Sequence, residues 1–255
     1  MISISEAQLM AWLMPIFWPF LRVLAVFTAA PIFSTRAFPV RARILLALLI
    51  ALAAQPSLPS HASINLSSAQ ALGAVVQQVG IGLAIGFVVR LVFAAFELAG
   101  ELVGFQMGLN FASFFDPTIN AQSSAAARFF GYMASLLFVV LNGHLMVLMA
   151  VVRSFEAFPV NQNFLEAMNL MKLYSLGGEL FASGLWIALP IVGMLMFANL
   201  ALGIVSRVAP QMNIYAVGFP VTLAVGLVGM AATLPMLDQP FMKLMDRAID
   251  IFTSR

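Results

Sequence analysis

Cysteine is absent from the 255 residues, and histidine occurs only at His61 and His144. Disulfide staples, thiolate metal sites and cysteine nucleophiles are therefore excluded. Two imidazoles 83 positions apart give no basis for a metal centre or for histidine-based catalysis. Charge is scarce as well, at 9% of residues against roughly 25% in soluble domains. No hydrophilic block is long enough to fold alone, which leaves a single domain over 1–255. The formal net charge of +2 is too small to suggest nucleic acid as a partner, and only Arg36, Arg41 and Arg43 cluster. The first twenty residues lack the basic region and small-residue cleavage site of a signal peptide, so the first apolar segment is expected to be retained. Nothing matches a glycine-rich phosphate loop, a nucleophile elbow or a soluble carboxylate pair, and no repeat of fixed period is visible. The expectation is no enzyme, no cofactor and no metal.

What the chain has is apolar surface. Hydrophobic residues make up 62%, and the mean hydropathy is +1.02. The class is all-α: a membrane-associated helical protein with about six apolar segments, some broken or re-entrant. The segments run roughly over 9–33, 44–54, 72–96, 129–152, 180–205 and 214–237. A spanning helix needs about 20 apolar residues. The second segment falls short and reads as a short or re-entrant helix. Pro15, Pro19 and Pro31 interrupt the first, and Pro220 and Pro235 bracket the last. Residues 238–255 alternate Phe241, Leu244, Met245, Ala248 and Phe252 with charged residues, the pattern of an amphipathic surface helix. The three arginines after the first segment place that loop in the cytoplasm by the positive-inside rule.

Four constellations could carry function. Arg90, Glu97 and Glu101 share one helical face at spacings of seven and four. They are either an intramembrane ion relay or a buried polar set that pairs within the chain or with a partner. Beside them, Gly100, Gly104 and Gly108 form a small-xxx-small run that permits close packing, with Gly82 and Gly86 upstream. Phe111, Phe114 and Phe115 occupy one helical face just before Asp116-Pro117 and a polar, turn-like stretch. They are either packing residues or a hydrophobic constriction that excludes water from a pore.

The fourth is Asn199–Pro220, where a membrane-like helix meets Arg207, Pro210, Gln211 and Asn213, then breaks again at Gly218-Phe219-Pro220. Unsatisfied polar groups cost several kcal/mol in hydrocarbon, so this segment needs protein or water around it. Asn142 and His144 sit within an apolar stretch as helix-contact residues. Most of the sixteen methionines read as packing. An ion-coupled secondary transporter using Arg90, Glu97 and Glu101 is the alternative reading, although no inverted repeat supports it.

Taken together, these residues resemble the FliR family, the flagellar branch of the type III export-gate proteins, related to the SctT proteins of injectisomes. The resemblance rests on Asn199, Ala201, Leu202, Gly203, Arg207, Pro210, Gln211, Asn213 and Gly218-Phe219-Pro220. It extends to Glu97 and Gly100, Gln106–Leu109, Phe111–Phe114 with Asp116-Pro117, and Asn142–Leu145. It covers essentially the whole chain in order. It implies one copy of this chain assembled with several copies of FliP and FliQ, in contact with FlhB, at the entrance of the channel for unfolded flagellar subunits. The implied location is the bacterial inner membrane and flagellar basal body, with many helices lifted out of the bilayer into a cone. The plug loop of the family corresponds to about 106–122, with Met107, Phe111, Phe114 and Phe115 as the pore plug.

Overall fold

Apolar runs of about 20 residues can satisfy their backbone in hydrocarbon by coiling into helix, and the chain obeys. A computed structural model describes residues 6–57, 69–109, 123–160, 176–211 and 213–253, and these are helical with no strand among them. The helices are α1 (Glu6–Ala29), α2 (Val40–Ala54), α3 (Ala69–Gln106), α4 (Ala125–Val140), α5 (Gly143–Ala157), α6 (Leu176–Val208), α7 (Ile214–Thr233) and α8 (Asp238–Thr253). Short 3₁₀ turns follow α2 and α7. Among the described residues, four helices are long and apolar enough to cross a membrane, or five if α4 and α5 form one broken span.

The prolines act more mildly than their positions suggest. Pro15 and Pro19 lie inside an unbroken α1, and the helix stops only at Ala29, ahead of Pro31. Each interior proline removes one backbone bond, but Trp18, Val23, Val26 and Phe27 on the same helix are almost completely buried. That burial outweighs the loss. Beyond α1 the chain turns through Ile32, whose φ of 70° is unusual for a β-branched residue. Pro39, extended at φ −61° and ψ 141°, then launches α2. At 15 residues, about 22 Å, α2 is too short for a ~30 Å hydrocarbon core.

One apolar segment divides. The stretch expected to be continuous over 129–152 is broken at Asn142, which adopts the left-handed conformation at φ 57°. Asparagine tolerates that conformation better than most residues. Its carbonyl accepts the backbone N–H groups of Leu145 and Met146 and starts α5. His144 thus belongs to the first turn of a new helix rather than to the interior of an old one.

Two compact units share the chain: Met1–Leu91 with Asn142–Leu176 and Met245–Arg255, and Val92–Leu141 with Gly177–Leu244. In the first, α1 and α2 pack as a hairpin, and α3 approaches α1 at two glycines. A Cβ on Gly82 would collide with the Arg22 carbonyl, and one on Gly86 would lie 2.6 Å from the Ala29 side chain. The second unit is built on residues 92–106 of α3. Phe93 and Phe96 meet Phe241, with centroids 6.4 and 5.7 Å apart, and Phe93 also meets Phe138 at 5.6 Å. Gly184 of α6 abuts the Ala95 carbonyl and Leu98. On α8, Phe241, Met245, Ala248 and Phe252 are buried while Lys243, Asp246, Arg247 and Asp250 are exposed, as the amphipathic pattern requires.

Candidate functional site

The end of α3 and the start of α4 are joined by a clasp of side chains on either side of residues 110–122 in the sequence. Gly100 lies against the backbone of Ala126 and Ala127, where a Cβ would collide with the Ala127 Cα. One turn on, a Cβ at Gly104 would sit 2.7 Å from the Ser124 hydroxyl oxygen. The Glu101 carboxylate accepts the Ser124 backbone N–H at 2.8 Å, and the Ser124 hydroxyl accepts the Ala127 N–H at 3.1 Å as the N-cap of α4. A carboxylate beside a helix N-terminus also complements the positive end of the helix dipole. The end of α3 and the start of α4 are therefore tied to each other within one unit.

α3 itself ends in a Schellman motif. The Leu109 N–H reaches the Gly104 carbonyl at 3.0 Å, and the Gly108 N–H reaches the Phe105 carbonyl at 3.1 Å. Gly108 occupies the left-handed position at φ 79°. Its glycine identity answers to this backbone and not to close packing, since a Cβ there would meet only Phe219, at an ordinary 3.5 Å. Gly100 and Gly104 are at the close approaches; Gly108 is a cap.

Met107, expected at the plug, is fully buried. Its side chain fills a notch at Gly226 of α7, where a Cβ would lie 2.5 Å from its Cγ and Sδ. The Thr222 hydroxyl lies 3.4 Å from the Met107 carbonyl and 3.1 Å from that of Phe219. Methionine suits such an irregular notch. Phe111, Phe114 and Phe115 lie outside the described residues.

The residues of the polar stripe differ in their surroundings. Arg90 and Glu97 are exposed on the chain by itself, with Glu97 lying across Gly131 of α4. Among the described residues, both side chains keep more than a third of their surface open. Glu101, half-buried, is engaged at the Ser124 backbone. Arg207, Gln211 and Asn213 are likewise exposed, and the Asn213 carbonyl accepts the Ala216 N–H at 3.0 Å as α7 begins. Pro210 lies in the turn between α6 and α7, but Gly218 and Pro220 do not break the chain. They sit in the second turn of α7, where the carbonyl deprived of its partner, that of Ala216, belongs to an exposed residue.

Sequence reasoning passed over Arg22. It is completely buried in α1, in the first unit. Its Nε donates to Gln78 Oε1 at 2.9 Å, and its terminal nitrogens donate to Ser154 Oγ at 2.8 Å and the Phe158 carbonyl at 2.9 Å. The guanidinium lies 3.6 Å over the Phe155 ring. Gln78 in turn donates to Gln77 at 3.0 Å. The guanidinium fork thereby ties α1, α3 and α5 together. The signal was a lone charge in an apolar stretch, with Gln77, Gln78 and Ser154 as equally isolated polar residues. No group of three or more possible metal ligands occurs among the described residues.

Helical throughout its described residues, with four or five helices long and apolar enough to span, the chain has the architecture of a membrane protein. The model of bacterial export proteins, family 1, matches residues 13–248. The flagellar biosynthetic protein FliR of Escherichia coli (strain K12) is 41% identical over 237 residues, covering 93% of this chain and 90% of that protein. FliR of Pectobacterium carotovorum subsp. carotovorum is 39% identical over 99% of this chain and 98% of its own length. FliR of Bacillus subtilis (strain 168) is 30% identical over 82% of each. The chain belongs to the FliR family of bacterial export proteins. It is a membrane-located component of the flagellar export apparatus, acting in flagellum biogenesis.

Proposed function

We propose that this chain is a non-enzymatic subunit of the flagellar type III export gate. It builds the channel entrance with FliP and FliQ homologues, contacts an FlhB homologue, and closes the channel with the loop at about 106–122. The setting is the inner membrane within the flagellar basal body, and the cargo is unfolded flagellar subunits.

The observation that carries the reading is the surface of α6. Its 33 residues span about 50 Å, well beyond a ~30 Å hydrocarbon core, and only 22% of its apolar window is buried within the chain. Trp186, Phe197, Leu200 and Val208 are each more than 60% exposed. Apolar surface of that length needs protein along part of it, which favours a subunit over a self-contained transporter. Arg90, Glu97, Arg207, Gln211 and Asn213 would meet partners on the same terms. Phe111, Phe114 and Phe115 would form the plug, held in place by the clasp of Glu101, Gly104 and Ser124.

Two measurements test this. The native mass of the tagged chain, purified in mild detergent with its endogenous partners, should show one copy in a heteromer with two other small membrane proteins. A stable monomer or homodimer would overturn the assembly. In bilayers, the assembled complex carrying alanine at Phe111, Phe114 and Phe115 should conduct ions above the wild-type background. Unchanged tightness would remove the plug assignment while leaving the assembly standing.

A further inference from the structure

The basic stretch that runs from the turn after α1 into the first turn of α2 has no role in the proposed function. Arg36 and Arg41 are exposed and Arg43 is half-buried. Arg43 has its Nε buried without a hydrogen-bond partner, while one terminal nitrogen donates to the Phe38 carbonyl at 3.4 Å. No aspartate or glutamate occurs anywhere between Glu6 and Glu97, so neighbouring sequence offers no counter-charge.

The helix they introduce adds to the imbalance. α2 starts at Pro39 with no side-chain cap and no acidic residue in its first turn. Cations at a helix N-terminus oppose the dipole, and free N–H groups at that end favour an anion. Arg41 and Arg43 are thus placed where the local field disfavours them unless negative charge arrives from outside.

The flank of α2 says what kind of anion. Val40, Ile44, Leu45, Leu48, Leu49 and Leu52 are all exposed, an apolar face along the same helix that carries Arg41 and Arg43. A soluble anion has no use for that face; an acyl chain does. We propose that Arg36, Arg41 and Arg43, with the N-terminus of α2, bind the phosphate of an anionic phospholipid whose chains lie along the exposed leucine face. The positive-inside rule puts this site on the cytoplasmic leaflet, where anionic headgroups attract basic residues.

The test is native mass spectrometry of the full chain released from micelles doped with phosphatidylglycerol or with phosphatidylcholine. Retained phosphatidylglycerol should exceed phosphatidylcholine, with each arginine contributing about fivefold and the three together roughly a hundredfold. R36Q/R41Q/R43Q should bring retention down to the phosphatidylcholine level, while R36K/R41K/R43K keeps a substantial part of it. Arg247→Gln, on the exposed face of α8, should change nothing. Equal retention of the two lipids by the wild type would overturn the proposal, as would full retention by the glutamine variant with unchanged helical circular dichroism. Displacement of phosphatidylglycerol by millimolar inorganic phosphate would also overturn it, in favour of a small-anion site. If phosphatidylglycerol is not retained and an acidic peptide binds instead, the partner is protein and the lipid assignment falls.

Discussion

At the scale of single residues, two positions carry more than their size. Gly108 needs no room but does need a left-handed backbone, so Gly108→Ala should cost about 1–2 kcal/mol. Thermal melting of the purified chain checks this, and Gly108→Asn should recover part of the loss because asparagine tolerates the conformation. An alanine variant as stable as wild type would mean that the Schellman turn is dispensable. Arg22 is the opposite case, a side chain defined wholly by its partners. Arg22→Lys keeps the charge but lacks the planar fork, and cannot reproduce donors to Gln78, Ser154 and Phe158 together. One or two buried groups left unsatisfied should cost about 2–4 kcal/mol. A melting temperature unchanged in Arg22→Lys would show that one point charge is enough.

At the scale of elements, the chain does break around Pro210, Gln211 and Asn213, but most other prolines expected to interrupt helices do not. Pro15, Pro19 and Pro220 all lie within helices, because an apolar helix can lose one backbone bond and still bury its face. Asn142 is the opposite case: Asn142-Gly143 is a local turn signal, but two residues leave no gap in the hydropathy of an apolar run. Helix type and approximate position were legible from hydropathy alone. α3 and α6 extend beyond their expected segments because Gln70, Gln106, Glu179 and Arg207 are polar yet good helix formers. At the candidate site, the close approaches at Gly100 and Gly104 were legible from the glycine spacing, while the cap role of Gly108 was not. The clasp was not, since Ser124 lies 23 residues from Glu101 and spacing rules do not reach across a turn. On the same grounds Pro220→Ala should leave α7 in place and raise its stability by restoring a donor for the Ala216 carbonyl. Hydrogen exchange of the first two turns of α7 should slow. Faster exchange would mean that the proline is needed to hold Phe219 near Gly108.

At the scale of the whole molecule, the balance between length and cover governs behaviour. α3 is about 57 Å long, and fitting it within ~30 Å of hydrocarbon would take a tilt near 60°, beyond the range up to about 40° found for spanning helices. The chain produced alone should therefore melt lower and aggregate more readily in detergent than the same chain co-produced with its export partners. Size-exclusion profiles of the two preparations, with melting curves, make the comparison. Equal stability would mean that the exposed faces of α6 and α7 are content with detergent.

The clasp between α3 and α4 has a consequence in polymer terms. Its two ends fix a tether of thirteen residues, 110–122, whatever path they take. Closing a longer tether between the same ends costs little, about 0.6 kcal/mol per doubling of its length. The fold therefore sets where this segment begins and ends while leaving its length almost free. In the export gate proposed above, a closure on this segment would be refitted to a wider or narrower channel by inserting or deleting residues, without redesigning the helices that carry it.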